Sequence, residues 1–318
     1  MQYAIGIDIG GHYVRAALCN SRGDFMARQT AEIDREATTA QTNVDILVCV
    51  IEAVLKKAGQ SAQDLACIAV GVPGVTNTKE GVVVLCPNVP HWDGLPLKKA
   101  LEKHLPVCLK LDNDVNMAAI GEHWKGAACG HSHFFFLGLG TGIGAGIFVD
   151  GQLYRGSHDG AGEIGYAVLH PGLRERRVGD WGWLESIASG AAIEKLGQDA
   201  ARQHPDSLIH QMAGTPERVC TALVFEAARQ GDLHAGHIVE EATDYLALAV
   251  VNITALLDPE LIIFGGGVSR QGEGILRPVR EKAQGFGIPI PPICQSKLKD
   301  DAQLYGAVYT ALGLINTA

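Results

Sequence analysis

Carboxylates stand at two places where apolar stretches run out. Asp8 lies near the end of Tyr3–Ile9 and is followed by Gly10-Gly11; Asp112-Asn113-Asp114-Val115-Asn116 follows Val107–Leu111. A carboxylate at a strand end can hold Mg²⁺ through water, and bare glycine backbone beside it lets N–H groups approach phosphate oxygens. An equally simple reading makes Asp8 the cap of a tight hairpin. At 112–116 the Asn/Asp cluster either caps the helix after it or offers Asp114 as a general base toward a hydroxyl, with Asn113 as that hydroxyl's partner. Strand ends in α/β sheets open into clefts, which keeps the second reading alive beside the first.

Two further glycine runs follow apolar stretches: Leu137–Gly146, with Gly140, Thr141 and Gly142 at its centre, and Phe264-Gly265-Gly266-Gly267. Residues 140–145 match G-x-G-x-x-A, but a dinucleotide fingerprint must open a helix. Here the run leads into Ile147-Phe148-Val149-Asp150-Gly151, a strand and hairpin turn, so the dinucleotide reading fails. The glycines and Thr141 suit close approach of a polyanion, or a plain glycine-rich turn. Gly265–Gly267 suits a base or ribose lying on bare backbone, or a flexible connection. Glu163 in Gly162–Tyr166, Glu185 after Trp183-Leu184, and Asn88 in the Pro87–Gly94 loop add polar groups in apolar surroundings. Carboxylates accept two hydroxyls each, which suits a polyol; a surface salt bridge is the alternative for either. The P-loop, H-R-D, D-F-G and H-E-x-x-H signatures are absent.

The elements that must position these groups alternate along the chain. Strands are predicted over Tyr3–Ile9, His12–Asn20, Phe25–Ile33, Ala66–Val72, Pro106–Leu111, Phe134–Leu139 and Leu261–Phe264. Ile147–Val149 and Leu153–Arg155 read as hairpin arms around Asp150-Gly151. Helices are predicted over Thr42–Ala58, Leu97–His104, Asn116–Trp124, Ala242–Leu257 and Gln303–Leu314, and Gly140–Gly146 as a turn. Strand, glycine turn and hairpin near residue 5 recur near residue 137. Two similar α/β lobes with a cleft between them are expected, 1–118 and 119–302, the closing helix 303–318 returning to the first.

The chain has 318 residues, 47% hydrophobic and 19% charged, enough apolar material for two cores. Its net charge of −9 argues against general nucleic-acid binding. The longest apolar run, Phe134–Val149, carries five glycines and is too short for a membrane span. The start lacks a signal-peptide pattern, and eight scattered cysteines without CxxC fit a reducing cytoplasm.

In order, D-x-G-G (8–11), G-V-P-G (71–74), P-N-x-x-x-W (87–92), N-D-x-N (113–116), L-G-x-G-T-G-x-G-A-G (137–146), G-E-I-G (162–165), L-E-S-x-A-S-G (184–190) and F-G-G-G (264–267) resemble the ROK family of sugar kinases and repressors. The resemblance covers essentially the whole chain and implies the actin-like (ribonuclease H-like) ATPase fold. It implies that Asp8, Gly10 and Gly11 form one phosphate motif and Gly140, Thr141 and Gly142 another, with Gly265, Gly266 and Gly267 at the adenosine. Asn88, Asn113, Glu163 and Glu185 would hold a hexose, Asp114 would be the base, and ATP with Mg²⁺ the donor. Glucose is the first-choice acceptor, with N-acetylmannosamine, N-acetylglucosamine, mannose, fructose and allose open, and a homodimer is implied. Repressor members carry an N-terminal helix-turn-helix; here the phosphate strand begins at residue 3, which favours a kinase over a non-catalytic sugar-binding regulator. Two positions depart from the family pattern. Tyr166 stands where a zinc-binding, sugar-touching His is usual, and Arg176, Val178 and Trp183 stand where three Cys are, so no structural zinc is expected. Trp181 and Trp183 are expected to order this loop instead, with Arg174, Arg176 and Arg177 solvated. His12 replaces the usual Thr or Ser and either meets phosphate or faces solvent.

Overall fold

A computed structural model describes residues 3–105, 107–171 and 182–317, the side chains of 314–317 excepted. In chain order the elements are β1 (Tyr3–Ile9), β2 (Tyr13–Cys19), β3 (Phe25–Glu32), α1 (Ala40–Lys57), β4 (Leu65–Val72), β5 (Val75–Asn77), β6 (Val82–Leu85), α2 (Leu97–Glu102), β7 (Cys108–Asn113) and α3 (Asp114–Lys125). Then come β8 (Phe134–Leu139), β9 (Ile143–Val149), β10 (Gln152–Tyr154), α4 (Glu185–Ala188), α5 (Gly190–Gln203), α6 (Leu208–Ala213), α7 (Thr221–Arg229), α8 (Leu233–Leu257), β11 (Leu261–Gly265), α9 (Glu273–Gln284), β12 (Ile293–Gln295) and α10 (Ala302–Thr317). Two compact units result. Met1–Gly130, Gln152–Ala161 and Asp300–Ala318 form the first, His131–Gly151 and Gly162–Lys299 the second.

The first unit's main sheet runs β3-β2-β1-β4-β7. β2 is antiparallel to β1 and β3, while β1, β4 and β7 are parallel. Parallel strands covered on both faces read as unbroken apolar runs, as β1 does. Ile5, Ile7 and Ile9 share a core with Val44, Leu47, Ile51 and Val54 of α1. On the alternate face Gly6 leaves room for the backbone of α10 at Val308. α10 crosses α3 where both helices lack a side chain: a Cβ on Gly306 would overlap the Met117 carbonyl, and one on Gly121 the Ala302 carbonyl. Alanine at either position costs about 1–3 kcal/mol by overpacking. This contact keeps α3 with the first unit.

The second unit orders β9-β8-β11-β12, with β9 antiparallel to β8 and the other three parallel. Order and directions repeat β2-β1-β4-β7. Its core joins Leu137 and Leu139 of β8, Ile262 and Phe264 of β11 and Leu246 and Val250 of α8.

Several boundaries differ from the sequence prediction. β7 runs on through Asp112-Asn113, because Gly71 and Val72 of β4 pair with them. α3 therefore starts at Asp114 rather than Asn116, capped by Asn113. The glycine turn after β8 is only 140–142; Gly144 and Gly146 lie in β9, opposite Gly138 and Phe136. α8 begins at Leu233, where Asp232 caps it through the Ala235 N–H. α5, α6, α7 and α9 were not predicted. α5 and α9 each lay an amphipathic stripe of four buried residues on the second core, so their helical period was there to be read. Among the described residues no helix is long and apolar enough to cross a membrane.

Candidate functional site

The first unit gathers its polar residues by register. Asp8 pairs with Gly71 and Gly71 with Asp112, one row across β1, β4 and β7. These strands are parallel, so the chain beyond each residue leaves by the same sheet edge, carrying Gly10-Gly11, Gly74 and Asn113-Asp114 with it. Asp8 is buried, and its Oδ2 accepts from Nε (2.9 Å) and Nη2 (2.5 Å) of Arg15. Burial pushes the Asp8 carboxyl above its ordinary value, while the Arg15 guanidinium pulls it down. Asn113 ends β7 with its Oδ1 accepting the N–H groups of Val115 (2.8 Å) and Asn116 (3.1 Å). Its Nδ2 donates to the Gly74 carbonyl at 2.8 Å, so one amide hydrogen is left for a ligand. The helix-capping reading of the cluster is thus realised, and the cap presents Asp114 at the first position of α3. There Asp114 Oδ1 accepts the Val115 N–H at 2.9 Å. The Asn88 Cβ lies 3.6 Å from where a Gly11 Cβ would stand, beside the first glycine turn.

In the second unit Gly138 of β8 pairs with Gly265 of β11, which brings two glycine clusters to one sheet edge. Gly266, at φ 81°, has no space for a Cβ against the Leu139 carbonyl. The turn carbonyls of Gly140 and Thr141 accept the N–H groups of Gly190 and Ala191, the first of α5. Glu185, at the start of α4, reaches the same turn: its Oε2 accepts the Ile143 N–H at 2.8 Å and occupies the place a Gly142 Cβ would take. Glu163 keeps solvent access, yet partial desolvation and the nearby Glu185 carboxylate hold its carboxyl above the ordinary range. Tyr166, 45% exposed, follows in the same short turn.

Asp8, Gly10, Gly11, Asn88, Asn113 and Asp114 therefore belong to the first unit; Gly140, Thr141, Gly142, Glu163, Tyr166, Glu185 and Gly265–Gly267 belong to the second. Arg15 and Arg155, the partners of Asp8 and Asp112, were missed. A register count across the β1–β2 hairpin would have found Arg15 opposite Asp8; no sequence signal marks Arg155. His12 is exposed, its Nε2 3.1 Å from Arg35 Nη1. Arg174, Arg176, Arg177, Val178 and Trp181 lie outside the described residues.

A family model described as ROK family matches residues 4–313. The chain belongs to the ROK family. A glucokinase of Thermotoga maritima is 34% identical over 308 residues, covering 95% of each chain. A xylose repressor of Caldicellulosiruptor bescii is 29% identical over 311 residues, covering 96% of this chain and 76% of that protein. A solved ROK family glucokinase from Streptomyces griseus, in complex with glucose and AMPPNP, superposes with a TM-score of 0.82 at 28% identity, covering 97% of this chain and 99% of that one. The duplicated α/β units are those of the actin-like ATPase fold that ROK structures share.

The ROK glycines divide by what the fold asks of them. Gly265 and Gly266 are demanded by neighbouring protein atoms, and a Cβ on Gly142 would displace the Glu185 carboxylate. Gly10, Gly11, Gly140 and Gly267 are not: each has an ordinary φ, and a Cβ there would meet nothing closer than 3.5 Å. Open backbone at these turns leaves N–H groups room to meet an anion such as phosphate.

Proposed function

We propose that this chain is an ATP-dependent hexose kinase that transfers the γ-phosphoryl group to a sugar hydroxyl, with glucose the first acceptor. The observation that carries the reading is the Asp8–Gly71–Asp112 row: it sends an open glycine turn and a half-buried carboxylate, Asp114, off one sheet edge.

Phosphoryl transfer asks for position and charge stabilisation more than covalent help. Asp114 takes the proton of the attacking hydroxyl as that oxygen bonds to the γ-phosphorus and the bond to the β-phosphate oxygen breaks, releasing ADP. Asn88, Asn113, Glu163, Tyr166 and Glu185 hold the sugar hydroxyls. Main-chain N–H groups of Gly10-Gly11 and of Gly140, Thr141 and Gly142 grip the phosphates, and Gly265–Gly267 leave room for the adenosine. Mg²⁺ neutralises phosphate charge, and it commonly binds one or two carboxylates besides phosphates. Asp8 suits such a cation, because its Oδ2 is taken by Arg15 while its Oδ1 accepts no hydrogen bond among the described residues. A homodimer in a reducing cytoplasm completes the reading. Light scattering tests the dimer.

The deciding experiment offers Mg-ATP with glucose, N-acetylmannosamine, N-acetylglucosamine, mannose, fructose and allose, and measures ADP. Asp114→Asn keeps the Oδ1 that accepts the Val115 N–H, so its circular dichroism should match the parent. Its turnover should fall about 10²–10⁴-fold. Parental turnover in that variant removes Asp114 from the role. Sugar binding by calorimetry with no ADP from the parent supports a non-catalytic regulator instead.

A further inference from the structure

Asp112 is 1% exposed at its side chain, and phosphoryl transfer as described gives it no role. Its two oxygens point to two sets of partners. Oδ2 accepts from Arg155 Nε at 3.1 Å and Nη2 at 2.6 Å. Oδ1 accepts the Asn113 N–H and the Asn116 Nδ2, both at 2.9 Å. Asn113 in turn caps α3 through Val115 and Asn116 and is tied to the Gly74 carbonyl. An unbroken set of hydrogen bonds thus runs from the Arg155 guanidinium to the turn that presents Asp114. Arg155 sits in Gln152–Ala161, a segment that packs with the first unit although the residues on both sides belong to the second. That segment has a separate tie: Asp159 Oδ2 accepts the Thr78 N–H (3.1 Å) and Oγ1 hydroxyl (3.0 Å). Anchoring the segment therefore does not rest on Arg155 alone.

We propose that Arg155 is a positioning residue for phosphoryl transfer: by neutralising and orienting Asp112 it sets the strand-to-helix turn that aims Asp114. This rests on the kinase reading. A buried carboxylate stripped of its cation is strongly disfavoured where it stands. Asp112 then rotates toward solvent or takes a proton, and in either case its hold on Asn113 and Asn116 weakens. Misplacing a reacting group by about 1 Å costs about 10²-fold in rate.

The test uses the intact chain with Arg155→Met, Arg155→Lys and, as a control on the segment's other tie, Asp159→Asn. Thermal unfolding is recorded first, and kcat and KM are measured below its onset. In Arg155→Met kcat should fall about 10–100-fold, while KM for ATP stays near the parent's. Arg155→Lys should lose less, since an ammonium supplies the charge but not two fixed N–H bonds. Asp159→Asn should keep the parental kcat. A folded Arg155→Met with a lowered melting point and a parental kcat overturns the proposal, for the pair is then merely structural. If the methionine variant does not fold, the lysine variant decides: a several-fold loss of kcat supports the role and a parental kcat overturns it. A parent chain that releases no ADP with any hexose overturns the kinase reading and this inference together; an active parent beside an equally active Arg155→Met overturns this inference alone.

Discussion

The two sheets share strand order and directions but not what stands on their matching rows. Across β1, β4 and β7 the row is Asp8, Gly71, Asp112; across β8 and β11 it is Gly138, Gly265. Both carboxylates of the first row meet an arginine. The second row carries no charge, and its acid arrives from another element: Glu185 of α4 is held by the Ile143 N–H in the space that Gly142 vacates. One architecture thus serves two electrostatic purposes. Arginine-paired carboxylates stand on the strands of the first row, and uncharged backbone stands on the second.

The sharpest way to break this comparison is Gly142→Ala. Its methyl competes with the Glu185 carboxylate, so kcat/KM for the hexose should fall about 10²-fold. Urea unfolding should show a loss within about 0.5 kcal/mol, because the methyl meets only the far end of the flexible Glu185 side chain. A folded variant with parental kinetics would mean that Glu185 is not held there. Gly11→Ala sharpens the other half. Its nearest neighbour is the Asn88 Cβ at 3.6 Å, ordinary contact. Stability should stay within about 0.5 kcal/mol, while KM for ATP rises roughly tenfold. An unchanged KM would remove the first turn from the phosphate cradle.

Glu163→Gln carries the smallest effect. The folded-state pKa of Glu163 is raised above the ordinary 4.5 by desolvation and Glu185. The group's contribution to stability is therefore full below pH 4.5 and lost as pH rises through the folded value. At pH 7 the glutamine variant should melt slightly higher than the parent, and the gain should vanish in acid. Its size stays small because the side chain keeps solvent access. A variant that melts lower at pH 7 refutes the sign.

Much of the first unit's candidate residue set was legible because its signals are local. β1 reads as an unbroken apolar run that ends in a carboxylate and two glycines, and the Asn/Asp cluster marks the start of α3. The cluster's division was not legible. Asn113 belongs to strand and cap at once because β4 extends its pairing to that residue. Glu185 was picked out as a hydroxyl acceptor, but its seat on the glycine turn joins residues 42 apart.

The residues alone determined the alternation of elements, the glycine turns and the candidate acids, since burial pattern and turn chemistry act over a few neighbouring positions. Only the tertiary structure decided that Asp112 is neutralised, and by what. Asp112 and Arg155 are 43 positions apart, and the energy between charges depends on distance in space and on exclusion of water, neither of which spacing along the chain encodes.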